Sequence, residues 1–115
     1  VVNFVPARLC ALLLILSCLL SGKSYSAKRA FAIWRRDKRK HKSPNSAQTE
    51  SVMAGALGVR LAGPASYFGH PVDKPWIGDA TRPIEPLDIR KANSLMFTAA
   101  ILCFLLCAGI LSLFV

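Results

Sequence analysis

Two carboxylates, Glu50 and Asp79, and three cations, Arg60, Lys74 and Arg82, fall within one stretch, residues 43–82, rich in glycine, proline and aromatics between two apolar segments. A carboxylate can take a proton from a reacting group or help to hold a divalent cation. Arginine grips phosphate or carboxylate in bidentate fashion. Asn45 and Ser46 add hydrogen-bonding groups at a predicted helix start, where free backbone N–H groups suit an anion, although ordinary capping is the plainer reading of that pair. Tyr67 and Trp76 offer flat faces to a ligand, or equally fill a small core of the loop itself. These types together suit a ligand site that takes an anion such as a phosphate or a carboxylate.

No metal site is expected. Cys10, Cys18, Cys103 and Cys107 all sit inside the apolar segments without zinc spacing and read as small hydrophobes. His41 and His70 have no partner at ligand spacing and read as solvated. A GxxxxGK[ST] phosphate loop is absent from the 115 residues.

The elements that must position these groups follow from the apolar pattern. Residues 95–115 form an uncharged run of 21, long enough at 1.5 Å per residue to cross a hydrocarbon core of roughly 30 Å. Residues 9–20 give a shorter apolar run, read as a membrane-embedded helix; a tilted span with Arg8 snorkelling, a re-entrant segment and a helix buried among other helices are all compatible with twelve residues. If it spans, Asn3 and Arg8 lie on the opposite side from residues 43–82. A secretory leader is the competing reading, and the charge that follows argues against it: 14 of the 15 Lys and Arg and all six acids lie between Lys23 and Lys91, a net +8 placed on the cytoplasmic side by the positive-inside tendency.

Between the apolar runs, Ser24 to about Lys42 reads as an amphipathic helix with Ala27, Ala30, Phe31 and Trp34 on one face and Lys28, Arg29, Arg35 and Arg36 on the other. Its end carries six cations against a single Asp37, a run that fits attraction to anionic lipid; no nucleic-acid motif accompanies it, and no nucleic-acid partner is expected. A second helix is predicted from near Ala47 to Leu61, capped by Asn45 or Ser46, with Met53, Leu57 and Leu61 in one stripe. Gly55 and Gly58 within it call for close approach, either by a neighbouring helix or by a bulky planar ligand. From Gly63-Pro64 to Pro86 the pattern shows neither helix nor strand, and its aromatic content suggests an ordered loop.

The fold expected is thus an all-α integral membrane protein fragment: a membrane-embedded helix over residues 1–22, a basic amphipathic helix over 23–42, a cytoplasmic short Gly-containing helix and long ordered loop over 43–93, and a transmembrane helix over 94–115. The chain begins Val1-Val2, as expected of a piece of a longer polypeptide.

Several short motifs recur in one order: Asn3-Phe4-Val5-Pro6-Ala7-Arg8, Ser43-Pro44-Asn45-Ser46 with Glu50, Ala54-Gly55-Ala56-Leu57-Gly58-Val59-Arg60-Leu61, Tyr67-Phe68-Gly69 and Lys74-Pro75-Trp76-Ile77-Gly78-Asp79. Together they closely resemble the carboxy-terminal third of the CobD/CbiB family of integral-membrane cobalamin biosynthesis proteins. Ala47 and Ala62 stand where the family pattern is expected to have glycine. The resemblance implies adenosylcobinamide-phosphate synthase activity, a carbon–nitrogen ligation joining aminopropanol or its phosphate to a propionate carboxyl of adenosylcobyric acid, with ATP and Mg as cofactors. For that reaction the residue types above suggest Glu50 and Asp79 as catalytic carboxylates, taking a proton from the amine or helping to hold Mg²⁺, and Asn45, Ser46, Arg60, Tyr67, Lys74, Trp76 and Arg82 as substrate contacts. Expected partners are the corrinoid, aminopropanol or its phosphate, membrane lipid and other proteins of the pathway; the expected location is the inner membrane, multi-pass, with residues 23–93 cytoplasmic. A corrinoid transport component and a non-catalytic membrane tether are the competing functions, and the piece alone is expected to be inactive.

Overall fold

Proline at the first helical position supplies a preset φ and removes an N–H that no helical carbonyl could accept. The central helix of the computed structural model begins that way: α3 (Pro44–Leu57) is surrounded by α1 (Phe4–Leu20), α2 (Ala27–Asp37), a small antiparallel sheet and the foot of α4 (Leu87–Leu113). The structure describes residues 4–22, 25–40, 44–72 and 75–115. Because α3 starts at Pro44, Asn45 and Ser46 lie inside its first turn instead of capping it. Its end also differs from expectation. Gly58, at φ +74°, leaves the helix at Leu57, and the N–H groups of Gly58 and Val59 both donate to the Ala54 carbonyl, so Leu61 belongs to a strand.

A helix enclosed on several sides needs short side chains where its neighbours come closest. Gly55 meets that need: a methyl group built there would sit 2.5 Å from the carbonyl oxygen of Arg29 and 2.7 Å from Cα of Ala30, both backbone atoms of α2. The close approach foreseen for this glycine is therefore that of a neighbouring helix. Arg29 Nε also donates to the Gly55 carbonyl at 3.1 Å, and Ser26 N donates to the Ala56 carbonyl at 3.1 Å, pinning the start of α2 to the end of α3. Ser26 caps α2 by accepting from Arg29 N.

The buried face of α2 is turned slightly from the expected one. Ala30 and Ile33 are buried, whereas Phe31 is exposed, and Trp34 is half-buried with Nε1 donating to Gln48 Oε1 at 2.8 Å rather than reaching into a membrane interface. Ala11, Leu14 and Cys18 of α1, Ala30 of α2, Val52 and Ala56 of α3 and Leu95 of α4 form the main core. Cys18 serves there as a small hydrophobe. On its other face α1 exposes Leu12, Leu16, Leu19 and Leu20.

Residues 60–78 correct the expected strandless loop, and with it the all-α class. Strands β1 (Arg60–Ala62) and β4 (Trp76–Gly78) pair antiparallel, as do β2 (Ala65–Tyr67) and β3 (His70–Val72), so the chain runs out and back as one interrupted hairpin. Its two-residue turn is Phe68-Gly69, both with positive φ, which matches the right-handed twist of the flanking strands. A second cluster of Ala47, Ala54 and Ile77, joined by Leu61, seats the β1–β4 ladder on α3.

The chain is therefore mostly helical. Among the described residues α4 alone is both long and apolar enough to cross a membrane; just 6% of its most apolar 18-residue window is buried. It begins at Leu87, ahead of the apolar run, and Tyr25 Oη donates to the Lys91 carbonyl at 2.8 Å, tying the approach to α2 to the foot of α4.

Candidate functional site

Adjacent residues of a strand point to opposite faces, so β1 offers Arg60 to one side and Leu61 to the other. Each side opens on a cleft. The outer one, about 490 Å³, is lined by Arg60, Trp76, Ala80, Thr81, Arg82, Pro83 and Ile84. Trp76 pairs with Ala62 across the ladder, and the Arg60 guanidinium lies over its ring, 3.9 Å from the centroid. Gly63 lets the indole lie flat against the backbone, since a methyl group there would come within 2.6 Å of the ring.

The two arginines of this cleft differ in what they have left to give. Arg82 donates to both carboxylate oxygens of Asp88, in the first turn of α4, and to the Pro83 carbonyl at 3.2 Å. It thereby fastens the loop to the membrane-length helix. Arg60 makes no hydrogen bond or ion pair among the described residues, so its fork of donors is open to a ligand.

Behind the ladder, Asp37 closes the end of α2. Its side chain is 0% exposed and accepts from Arg36 Nε and Nη2, each at 2.8 Å, from Lys40 Nζ at 3.0 Å and from the Gly78 N–H at 2.7 Å. Burial alone would push this carboxyl up. The donors from Arg36, Gly78 and Lys40 outweigh it and hold Asp37 well below the usual carboxylate range. Arg36 in turn is pushed above its ordinary value, first by Asp37 and then by Asp79. Its Nη1 grips both oxygens of Asp79, at 2.9 and 3.1 Å, so that expected catalytic carboxylate stands in an exposed ion pair.

On the other side of β1 lies a larger, mostly apolar cleft of about 700 Å³ between α1, α3 and α4. Cys10, Leu13, Leu14, Met53, Leu61 and Met96 contribute to its walls, and Glu50 and Thr49 are its polar side chains. Glu50 and Asp79 thus belong to different surroundings, the former facing this cleft and the latter held by α2. Asn45 lies one turn before Thr49 and accepts a long hydrogen bond, 3.4 Å, from Arg8 Nη1. That contact brings the start of α1 to the start of α3.

Of the residues expected to bind substrate, Arg60, Trp76 and Arg82 meet in one cleft, while Asn45 stands apart from them at the start of α3. Lys74 and the side chains of Ser46 and Tyr67 lie outside the described residues. Sequence reasoning missed Arg8, Arg36 and Asp37. A single acid among six cations was a signal for the last two, since an isolated carboxylate there has partners on every side.

The family described as CobD/Cbib protein matches residues 1–96. Among curated proteins, the cobalamin biosynthesis protein CobD of Desulfotalea psychrophila is 45% identical over 104 residues, covering 90% of this chain and 31% of that protein. CobD of Klebsiella pneumoniae is 47% identical over 110 residues, covering 96% and 34%. The cobalamin biosynthesis protein CbiB of Salmonella typhimurium is 50% identical over 105 residues, covering 89% and 31%. The chain spans about a third of the length of these relatives. No solved structure matches it. With its motifs in order and the family matched over most of its length, the chain belongs to the CobD/CbiB family.

Proposed function

We propose that the protein to which this chain belongs acts in cobalamin biosynthesis as a membrane enzyme, joining aminopropanol or its phosphate to a propionate carboxyl of adenosylcobyric acid. The observation that carries the reading is the partition at β1: a small cleft with an open guanidinium over an indole on one side, and a larger apolar cleft with one carboxylate on the other. Two unlike substrates suit two unlike clefts. A phosphate fits the fork of Arg60, while the apolar flank of a large macrocycle fits the walls built by Leu13, Leu14 and Met53.

In this reading the carboxyl arrives already activated as an acyl phosphate formed outside this segment; Glu50 accepts the proton that the amine sheds as its nitrogen bonds to the carbonyl carbon, and the carbon–oxygen bond to the phosphate breaks, releasing phosphate. Trp76 keeps Arg60 in place, and Arg82 holds the wall of the outer cleft to α4 through Asp88. Asp79, held by Arg36, orders the same wall. The residues present do not fit ATP or Mg²⁺: no phosphate loop occurs in the sequence, and among the described residues no group of three His, Cys, Asp or Glu could hold a metal ion. α4 supports a place in the membrane, with residues 23–93 on the cytoplasmic side behind Arg90 and Lys91.

The reading is tested on membranes containing the full-length protein. Arg60→Ala is expected to raise KM for aminopropanol phosphate about tenfold and to leave plain aminopropanol nearly unaffected, as loss of one charge-assisted contact requires. Glu50→Gln is expected to lower kcat by roughly 10² or more. Cobinamide formation that survives alanine at Glu50, Arg60 and Asp79 together would rule out catalysis at these clefts.

A further inference from the structure

A guanidinium carries five N–H donors and offers two forks: its end, formed by Nη1 and Nη2, and its side, formed by Nε and Nη2. The bonds of Arg82 leave the side fork free. Nη1 donates to Asp88 Oδ2 at 3.0 Å and to the Pro83 carbonyl at 3.2 Å, and Nη2 donates to Asp88 Oδ1. Nε and the second N–H of Nη2 meet no partner among the described residues. Those two donors lie side by side, in the geometry that takes two oxygens of a carboxylate or a phosphate.

Asp88 sets the direction in which that fork points. Its side chain is only 8% exposed, accepts from the Glu85 N–H at 2.7 Å as well as from Arg82, and takes no part in lining the outer cleft. Arg82 does line the cleft, with its side chain 29% exposed. With the end of the guanidinium turned to a buried carboxylate, the donors left to the cleft are those of the side fork. Arg60 lines the same cavity, lies over Trp76 and keeps its own donors unclaimed. Two forks thus meet one cleft of about 490 Å³ that has no carboxylate among its lining residues. A planar carboxylate fills a single fork, whereas the terminal oxygens of a phosphate monoester, set at tetrahedral angles, bridge two.

We infer that Arg60 and Arg82 form a two-fork clamp for a phosphate monoester in the outer cleft, and that Asp88 is the positioning residue that aims Arg82. Arg82 then has two tasks, fastening the loop to α4 with one edge and gripping the ligand with the other. That the phosphate is the one on aminopropanol rests on the function proposed above; the clamp does not. The clamp makes the phosphorylated amine, rather than plain aminopropanol, the preferred substrate.

The experiment compares the two amines on membranes containing the full-length protein. Arg82→Lys keeps a charge beside Asp88 but has no fork, and is expected to raise KM for aminopropanol phosphate about tenfold while leaving kcat and the KM for plain aminopropanol close to wild type. Asp88→Asn is expected to raise the same KM by roughly threefold, again without effect on the plain amine. Equal changes for both amines, or a fall in kcat alone, overturn the inference, because a merely loosened wall acts on both substrates alike. A second measurement needs no turnover: inorganic phosphate, against chloride at equal ionic strength, is expected to slow proteolytic cleavage within residues 79–86 of wild type but not of Arg60→Ala or Arg82→Lys. Such protection in a protein that consumes neither amine would remove the proposed reaction and leave the clamp standing. Absence of protection in wild type, or protection that persists in both variants, removes the clamp.

Discussion

Replacing Asp37 by alanine tests the tie between α2 and the sheet. The change leaves the buried Gly78 N–H without its acceptor, a loss of about 1–3 kcal/mol. The ion pair to Arg36 adds only about 1 kcal/mol, because that guanidinium is 46% exposed and screened by solvent. Together these give about 3 kcal/mol. Asparagine keeps one acceptor for Gly78 and loses the charge, so Asp37→Asn should cost about half as much. Unfolding of the full-length protein in detergent, followed by amide exchange at Gly78 and by tryptophan emission, reads both variants. A loss below about 1 kcal/mol for alanine, or equal losses for the two variants, would refute the account of Asp37 as the acceptor that holds β4. The pH dependence has a definite sign. A carboxyl held below its unfolded value of about 3.9 gives stability that is fully present above that value and is lost as pH falls through the folded one. The gap between wild type and Asp37→Asn should therefore be flat from about pH 5 to 8 and shrink in stronger acid.

Three further outcomes are expected. Gly55→Ala pushes a methyl into the backbone of α2 and should cost at least about 2 kcal/mol, visible as a lowered midpoint of thermal unfolding. Ala62→Gly should stabilise by about 1 kcal/mol, because Ala62 has φ +62°, a region disfavoured for residues with a Cβ; a lowered midpoint would contradict this. Arg82→Gln should loosen the loop from α4 and raise proteolytic cleavage within residues 79–86, while Arg60→Gln should not.

The expectation of glycine at position 62 has a physical reason in the strained φ of Ala62, and at position 47 in the full burial of Ala47 beneath Ile77. The helices were legible because each has its own signal: an apolar run for α1 and α4, and a mixed period for α2. Strands β1 to β4 were not. Each has three residues, Pro71, Gly63-Pro64 and Gly69 punctuate them, and their partners lie up to eighteen positions away. Arg60 and Trp76 were readable as candidates by type, whereas their stacking depends on that ladder. Asp37 was hidden for the same reason, its acceptor role being set by Gly78, forty-one residues on.

Because side chains alternate along a strand, sliding β1 by one residue against β4 would exchange Arg60 and Leu61, placing a charge over Ala47 and Ala54 and leucine beside Trp76. A three-residue strand carries little in itself to forbid that error. The bond from the Gly78 N–H to buried Asp37 fixes β4 from outside the sheet, and Arg60 opposite Gly78 inherits the setting. Asp37 thus acts as a register pin, deciding from the end of a different helix which cleft receives the cation.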